Sequence, residues 1–383
     1  MLEVALLALA AALIAGVVTG AMVPFAAKLA FAVRAVDYPG GRKFHGSAVP
    51  RLGGVAVAAG LVFGAGTVAL MRWTEWGIPV SDRELVALLI GSAMVFTVGL
   101  VDDIVGVSVA KKFLVEFAAA GLIVWAGWRF TSLGLPGLDL PLGALGGVLT
   151  VLWIVGVANA INLFDGLDGL ASGVVAIIAG SLLVYSLVQD NHFTVILMAA
   201  LAGACLGFLP HNWMPANIFM GDAGSLLLGF LLAATTVHSS LKSSAAVAIL
   251  IPVLALGVPV MDTLVVMTVR FLERPKGHAV ERLLRMFRAD RNHVHHLMQR
   301  HGASRPVVVR TLYLFVLVSC AMALAVALTK SSGLGITLVI VEVAAILLVR
   351  TLGFARFTRT LADEQREELR EKWLTPSHPQ AEK

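Results

Sequence analysis

Asn159, Asn162, Asp165 and Asp168 recur every third position in the segment NAINLFDGLDGLASG. On a helix or a tight helical turn that spacing makes side chains neighbours. Two carboxylates and two amides gathered in this way offer oxygens to a cation and donors to a polar ligand. Gly166 and Gly169 between them let a ligand come close to the backbone. A helix N-cap would employ one Asp and leave the other Asp and both Asn unexplained.

Further clusters carry related chemistry. VGLVDDIVGVSVAKKF places Asp102 beside Asp103, with Lys111 and Lys112 following. Adjacent carboxylates bind a divalent cation or share a proton, and acids at a fraying helix end account for the pair equally well. FMGDAGSLLLGF sets Asp222 between Gly221 and Gly224, just before an apolar run. That is either a phosphate- or metal-accepting corner at a helix N-terminus or a plain cap. DRNHVHHLMQRHG holds His293, His295, His296 and His301 with Asp290, Arg291 and Arg300. It lacks HEXXH and a nearby Cys, so it suits phosphate oxygens better than zinc, with a solvated amphipathic helix as the alternative. Asp262, in VPVMDTLVV, lies inside an apolar run. An acid there is either a functional group or the structural partner of an Arg.

Membrane helices must position these residues. The 383 residues are 58% hydrophobic and 14% charged, with a mean hydropathy of +0.88, against about 25% charged residues in soluble domains. Apolar stretches long enough to cross a hydrocarbon core predict eleven spans, roughly 4–25, 53–71, 84–101, 112–128, 142–160, 169–188, 193–210, 223–238, 244–269, 308–328 and 332–349. The expected architecture is therefore an all-α polytopic membrane protein, a bundle of about 10–11 transmembrane helices. The first stretch has no basic leader, carries Glu3 and meets its first cation at Lys28, so it reads as a retained span. Cys205 and Cys320 lie singly in apolar runs and read as small hydrophobes.

Most of the 29 Lys and Arg fall on the odd-numbered connections and the C-terminal tail. The positive-inside rule puts those connections in the cytoplasm and the N-terminus outside. The longest and most basic connection, about 270–307, carries the histidines. Each loop cluster described above falls on that cytoplasmic side, which points to one catalytic face. The net charge of +5 follows from membrane orientation, and nucleic acid is not an expected partner. An ion-coupled transporter is the alternative. It calls for acids at mid-membrane and paired broken helices, and only Asp262 meets the first demand. Residues 1–355 read as the transmembrane catalytic domain and 356–383 as a charged tail, whose basic start can rest on membrane lipid.

VDYPGGRKFHGSAVPRLGGVAV, VGLVDD, NAINLFDGLDGLASG, FMGDAGSLLLGF, PVMDTL and DRNHVHH occur in one order between about 37 and 302. In this the chain resembles the polyprenyl-phosphate N-acetylhexosamine-1-phosphate transferases, and RKFH and the His-Val-His-His cluster look like the WecA/TagO branch rather than MraY. The resemblance implies a bacterial plasma-membrane enzyme with a cytoplasmic active site. It would move N-acetylglucosamine-1-phosphate, or a similar group, from a UDP-N-acetylhexosamine to undecaprenyl phosphate and release UMP. It implies Mg²⁺, with Mn²⁺ as a substitute, held by Asp222 and Asp102. Asp102, Asp103, Asp165, Asp168, His293, His295 and His296 become catalytic candidates. Arg42, Lys43, His45, Lys111, Lys112, Asn159, Asn162, Asp290 and Arg291 become substrate-binding candidates. The particular UDP-sugar, the polymer supplied and whether two copies pair as a homodimer stay open.

Overall fold

The computed structural model describes residues 2–38, 48–72, 80–135, 138–241, 249–272, 293–300 and 302–351. Its helices are α1 (Leu2–Ala32), α2 (Gly53–Arg72), α3 (Asp82–Val105), α4 (Val109–Ala126), α5 (Gly143–Phe164), α6 (Leu170–Val188), α7 (His192–Asn212), α8 (Gly221–Ser240), α9 (Leu250–Ala255), α10 (Gly257–Leu272), α11 (Val294–Arg300), α12 (Arg305–Thr329) and α13 (Ser332–Thr351). Two small antiparallel pairs complete it. β1 (Val36–Asp37) pairs with β2 (Val49–Pro50), and β3 (Ser132–Leu135) with β4 (Leu138–Pro141). Each predicted span contains helix. Eight described helices are long and apolar enough to cross a membrane: α1, α3, α5, α6, α7, α8, α12 and α13.

One span differs from the sequence expectation. The predicted helix over 244–269 is broken into α9 and α10 at Leu256. Pro259 supplies no N–H, and its ring conflicts with a helical carbonyl four residues earlier, at Ala255. Gly257 then lets the carboxyl group of Glu342, from α13, pack against the break.

Small residues draw the helices together. Along α1, Ala8, Ala11, Ala15, Thr19, Val23, Ala26 and Ala30 are buried, while Leu2, Leu6, Leu9, Leu13 and Val17 are exposed. This arrangement reverses the soluble pattern, because lipid tails are as apolar as leucine and close backbone packing drives association. Gly16 and Gly20 of α1 meet Gly203 and Gly207 of α7, and a methyl on Gly16 would lie 3.0 Å from the Gly203 carbonyl oxygen.

α8 is the central helix, packed by α3, α5 and α2. Of its 20 residues only Asp222 is not buried. Gly54 of α2 and Gly99 of α3 bring those helices onto its first turn. A methyl on Gly54 would come 2.7 Å from the Gly224 Cα, and one on Gly99 2.6 Å from the Asp222 carbonyl oxygen.

Candidate active site

α8 starts at Gly221, whose φ of +73° favours glycine. The free N–H groups of its first turn are met by an acid from another helix. Asp103, near the end of α3, accepts hydrogen bonds from the N–H of Asp222 at 2.9 Å and of Ala223 at 3.0 Å. An N-terminal turn exposes such donors, and a carboxylate there also meets the positive end of the helix dipole. The Asp103 side chain is fully buried, and the Arg51 guanidinium stands 3.8 Å from it.

Successive helical residues point in different directions, so Asp102 has other partners. Its Oδ1 accepts from the Val107 N–H at 2.6 Å, and its Oδ2 lies 3.3 Å from Lys112 Nζ. Lys112 also pairs directly with Asp222. Its ammonium group therefore lies between the carboxylates of Asp102 and Asp222, while Lys111 is exposed.

The opening motif is the end of α5, the turn after it and the start of α6. Asn159 donates to the Glu116 carboxylate and to the Val155 carbonyl at 2.9 Å. Asn162, nearly one turn later, donates to Ser225 Oγ of α8 at 2.9 Å. Asp165 terminates α5, and Asp168 accepts from the Ala216 N–H at 3.1 Å. Gly169, at φ +77°, is held from two sides. Its N–H donates to Asn212 Oδ1 at 3.0 Å, and its carbonyl accepts from the Tyr313 hydroxyl at 2.5 Å. Burial and then the negative charges of Asp222 and Asp103 push the Asp165 carboxyl well above the usual carboxylate range, against the opposing pull of Arg51.

Asp262 anchors the histidines. Its Oδ2 lies 2.8 Å from His293 Nδ1, and its Oδ1 accepts from the Val294 N–H and from Arg350 Nη1, each at 3.0 Å. The acid is 1% exposed, so these charged and polar partners answer the cost of its burial. Both readings of Asp262 are thereby resolved into one: it pairs with an Arg, and through that assembly it sets the start of α11. His295 is buried against Phe164, and neither ring nitrogen has a hydrogen-bond partner among the described residues. A methyl on Gly166 would meet its Nε2 at 2.7 Å. Burial, then the neighbouring His296 and His293, lower its pKa to about 3, so the ring is neutral.

These pieces surround one cavity of about 530 Å³. Asn162, Asp165, Asp168, Asp222 and His296 line it, joined by Asp37, Arg51, Gln299 and Arg305. Its carboxylates outnumber its guanidiniums, Asp37, Asp165, Asp168 and Asp222 against Arg51 and Arg305. Among the described residues, no three His, Cys, Asp or Glu side chains are gathered to hold a metal ion by themselves. Asp102 reaches the cavity's edge through Lys112 and Asp222. Asp103, His293 and Asn159 support it from behind. Arg42, Lys43, His45, Asp290 and Arg291 lie outside the described residues. Sequence reasoning missed Arg51, Gln299, Arg305, Glu116 and Tyr313. Glu116 alone carried a usable signal, an acid inside a predicted span one turn after Lys112.

Comparison with known proteins identifies relatives over most of the chain. Residues 85–240 match the family model described as glycosyl transferase family 4. A probable undecaprenyl-phosphate N-acetylglucosaminyl 1-phosphate transferase of Bacillus subtilis (strain 168) is 35% identical over 293 residues, covering 76% of this chain and 77% of that protein. A decaprenyl-phosphate N-acetylglucosaminephosphotransferase of Mycobacterium tuberculosis (strain ATCC 25618 / H37Rv) is 33% identical over 342 residues, covering 82% and 80%. A phospho-N-acetylmuramoyl-pentapeptide-transferase of Enterococcus hirae is 33% identical over 201 residues, covering 48% and 61%. The shared motifs, the extent of the first two alignments and the helix ends that carry the cavity lead to one conclusion: the chain belongs to the glycosyl transferase family 4 group of polyprenyl-phosphate N-acetylhexosamine-1-phosphate transferases.

Proposed function

We propose that the protein transfers N-acetylglucosamine-1-phosphate from UDP-N-acetylglucosamine to undecaprenyl phosphate, releasing UMP and starting a cell-envelope glycan. The observation that carries this reading is the meeting of Asp222, Asp165, Asn162, Arg51 and His296 around one cavity at the ends of apolar helices. A lipid-borne acceptor explains why such a site is built on membrane spans. The positive-inside rule supports a cytoplasmic cavity and an external N-terminus in the bacterial plasma membrane.

The donor set suits Mg²⁺. Asp222 and Asp102 are hard oxygen ligands that already share one cation, the Lys112 ammonium. Magnesium is commonly held by one or two carboxylates plus substrate phosphates and water, so two acids suffice. When bound, it would neutralise diphosphate oxygens and the charge that develops on departing UMP.

The chain's own groups do the rest. Phosphoryl transfer depends mainly on alignment and charge neutralisation. An oxygen of the lipid phosphate forms a bond to the sugar-bearing phosphorus, and the bond from that phosphorus to the bridging oxygen breaks, the oxygen leaving with UMP. Arg51, Arg305 and His296 stand where anionic oxygens would enter. Asp103 holds the first turn of α8 in place and has its oxygens engaged by backbone N–H groups, which supports a positioning role. A lipid phosphate with a second pKa of about 6 is already largely dianionic at neutral pH, by analogy with phosphoserine, so it needs no general base.

Incubating the purified protein with undecaprenyl phosphate, Mg²⁺ and a panel of UDP-sugars tests the reading. UMP should appear with UDP-N-acetylglucosamine and require the lipid. No UMP from any UDP-N-acetylhexosamine would overturn it.

A further inference from the structure

Glu116 lies on α4, four residues after Lys112, so the two side chains share a helix face. It is 1% exposed. One of its oxygens accepts from the Asn159 amide, and Asn159 is itself fixed by its bond to the Val155 carbonyl. The other, Oε1, is buried without a hydrogen-bond partner among the described residues. An unsatisfied buried oxygen is costly, and more so when it belongs to an acid. Meanwhile the Lys112 ammonium occupies the gap between Asp102 and Asp222, the gap assigned above to a divalent cation.

An ammonium and a divalent cation cannot share that gap, because like charges a few ångströms apart repel strongly in a site of low dielectric. Lys112 remains tethered to α4, on a flexible four-carbon stem. The unfilled acceptor within its reach on the same face is Glu116 Oε1. Resting on the function proposed above, we infer that Glu116 is a positioning residue: it receives Lys112 when the cation enters between Asp102 and Asp222. Asn159 keeps the acceptor oriented by holding its other oxygen. The exchange satisfies the orphan oxygen and keeps the lysine charge beside the cavity instead of returning it to water.

The test uses Mn²⁺ as the probe, with binding to the purified full-length protein in detergent followed by loss of the free-ion paramagnetic resonance signal. Glu116→Gln should weaken Mn²⁺ binding about tenfold, because the displaced lysine has lost its charged partner. In a Lys112→Met background the same substitution should change nothing, since no ammonium has to move. Glu116→Ala should repeat both results if the Gln variant folds poorly. Equal loss in both backgrounds would mean that Glu116 acts on the cation or on the fold directly, and no loss in either would leave it without this role. Each result overturns the inference. Asp222→Asn separates this inference from the reading it rests on. If Mn²⁺ binding survives that change, the metal assignment itself fails; if binding is lost while the Glu116 cycle is additive, only the present inference fails.

Discussion

The carboxylate of Asp103 caps the helix that begins with Asp222, accepting the Asp222 N–H at 2.9 Å and the Ala223 N–H at 3.0 Å. The acid at the end of one helix thus sets the position of the acid at the start of another, 119 residues away. Asp103→Ala should remove the cap and destabilise the protein by about 1–2 kcal/mol. Displacement of Asp222 should also slow UMP release by about tenfold or more. Thermal unfolding in detergent and UMP assays measure the two effects. Unchanged turnover would detach Asp103 from the placement of Asp222.

Asp262 ties three elements together through His293, the Val294 N–H and Arg350. Removing one partner of a buried ion pair leaves the other charge uncompensated, at a cost of about 3–5 kcal/mol. Asp262→Ala should therefore lower the unfolding temperature more than Asp262→Asn, which keeps an acceptor. Both variants should lose turnover as α11 comes loose from α10. Wild-type stability in both variants would argue against the Arg350 pairing.

His295 gives a pH dependence of definite sign. Its pKa falls from an ordinary value near 6.5 to about 3 in the fold. As pH drops through that window the unfolded chain takes up a proton that the folded ring refuses, so stability is lost on acidification. The slope from this group is at most about 1.4 kcal/mol per pH unit. His295→Gln should flatten the stability profile between about pH 6.5 and 3 relative to wild type. An unchanged profile would show that the ring is protonated in the fold.

Tyr313 fixes the turn that carries Asp165 and Asp168 by donating to the Gly169 carbonyl at 2.5 Å. Tyr313→Phe should cost about 1 kcal/mol of stability. Gly173→Ala should be harsher, because the Tyr313 ring occupies the space a methyl would need. Comparing UMP release by the two variants ranks them, and the reverse order would contradict this packing.

Much of the architecture could be read from apolar run length, because a membrane helix must satisfy its backbone internally and show its hydrophobicity on every side. The break between α9 and α10 could not. Gly257 and Pro259 are common enough inside membrane spans that hydropathy passes over them. The turn Asp165–Asp168 and the helix start at Gly221–Asp222 were visible as polar residues in an apolar chain. The division of labour between Asp102 and Asp103 was not, since neighbours on a helix face different surroundings that only packing defines. The partner of Asp262 was equally hidden, lying 88 residues away on α13. Arg51 and Arg305 looked like ordinary loop cations until the fold brought them to the cavity.

The most direct measurement is Mg²⁺-dependent UMP release by Asp222→Asn, made alongside wild type with UDP-N-acetylglucosamine and undecaprenyl phosphate. Asp222 is the one residue of α8 that is not buried; it lines the cavity and pairs with Lys112. The expected result is a protein that unfolds at a near-normal temperature and releases no UMP at any Mg²⁺ concentration. Near-normal, Mg²⁺-dependent turnover by this variant would contradict the account.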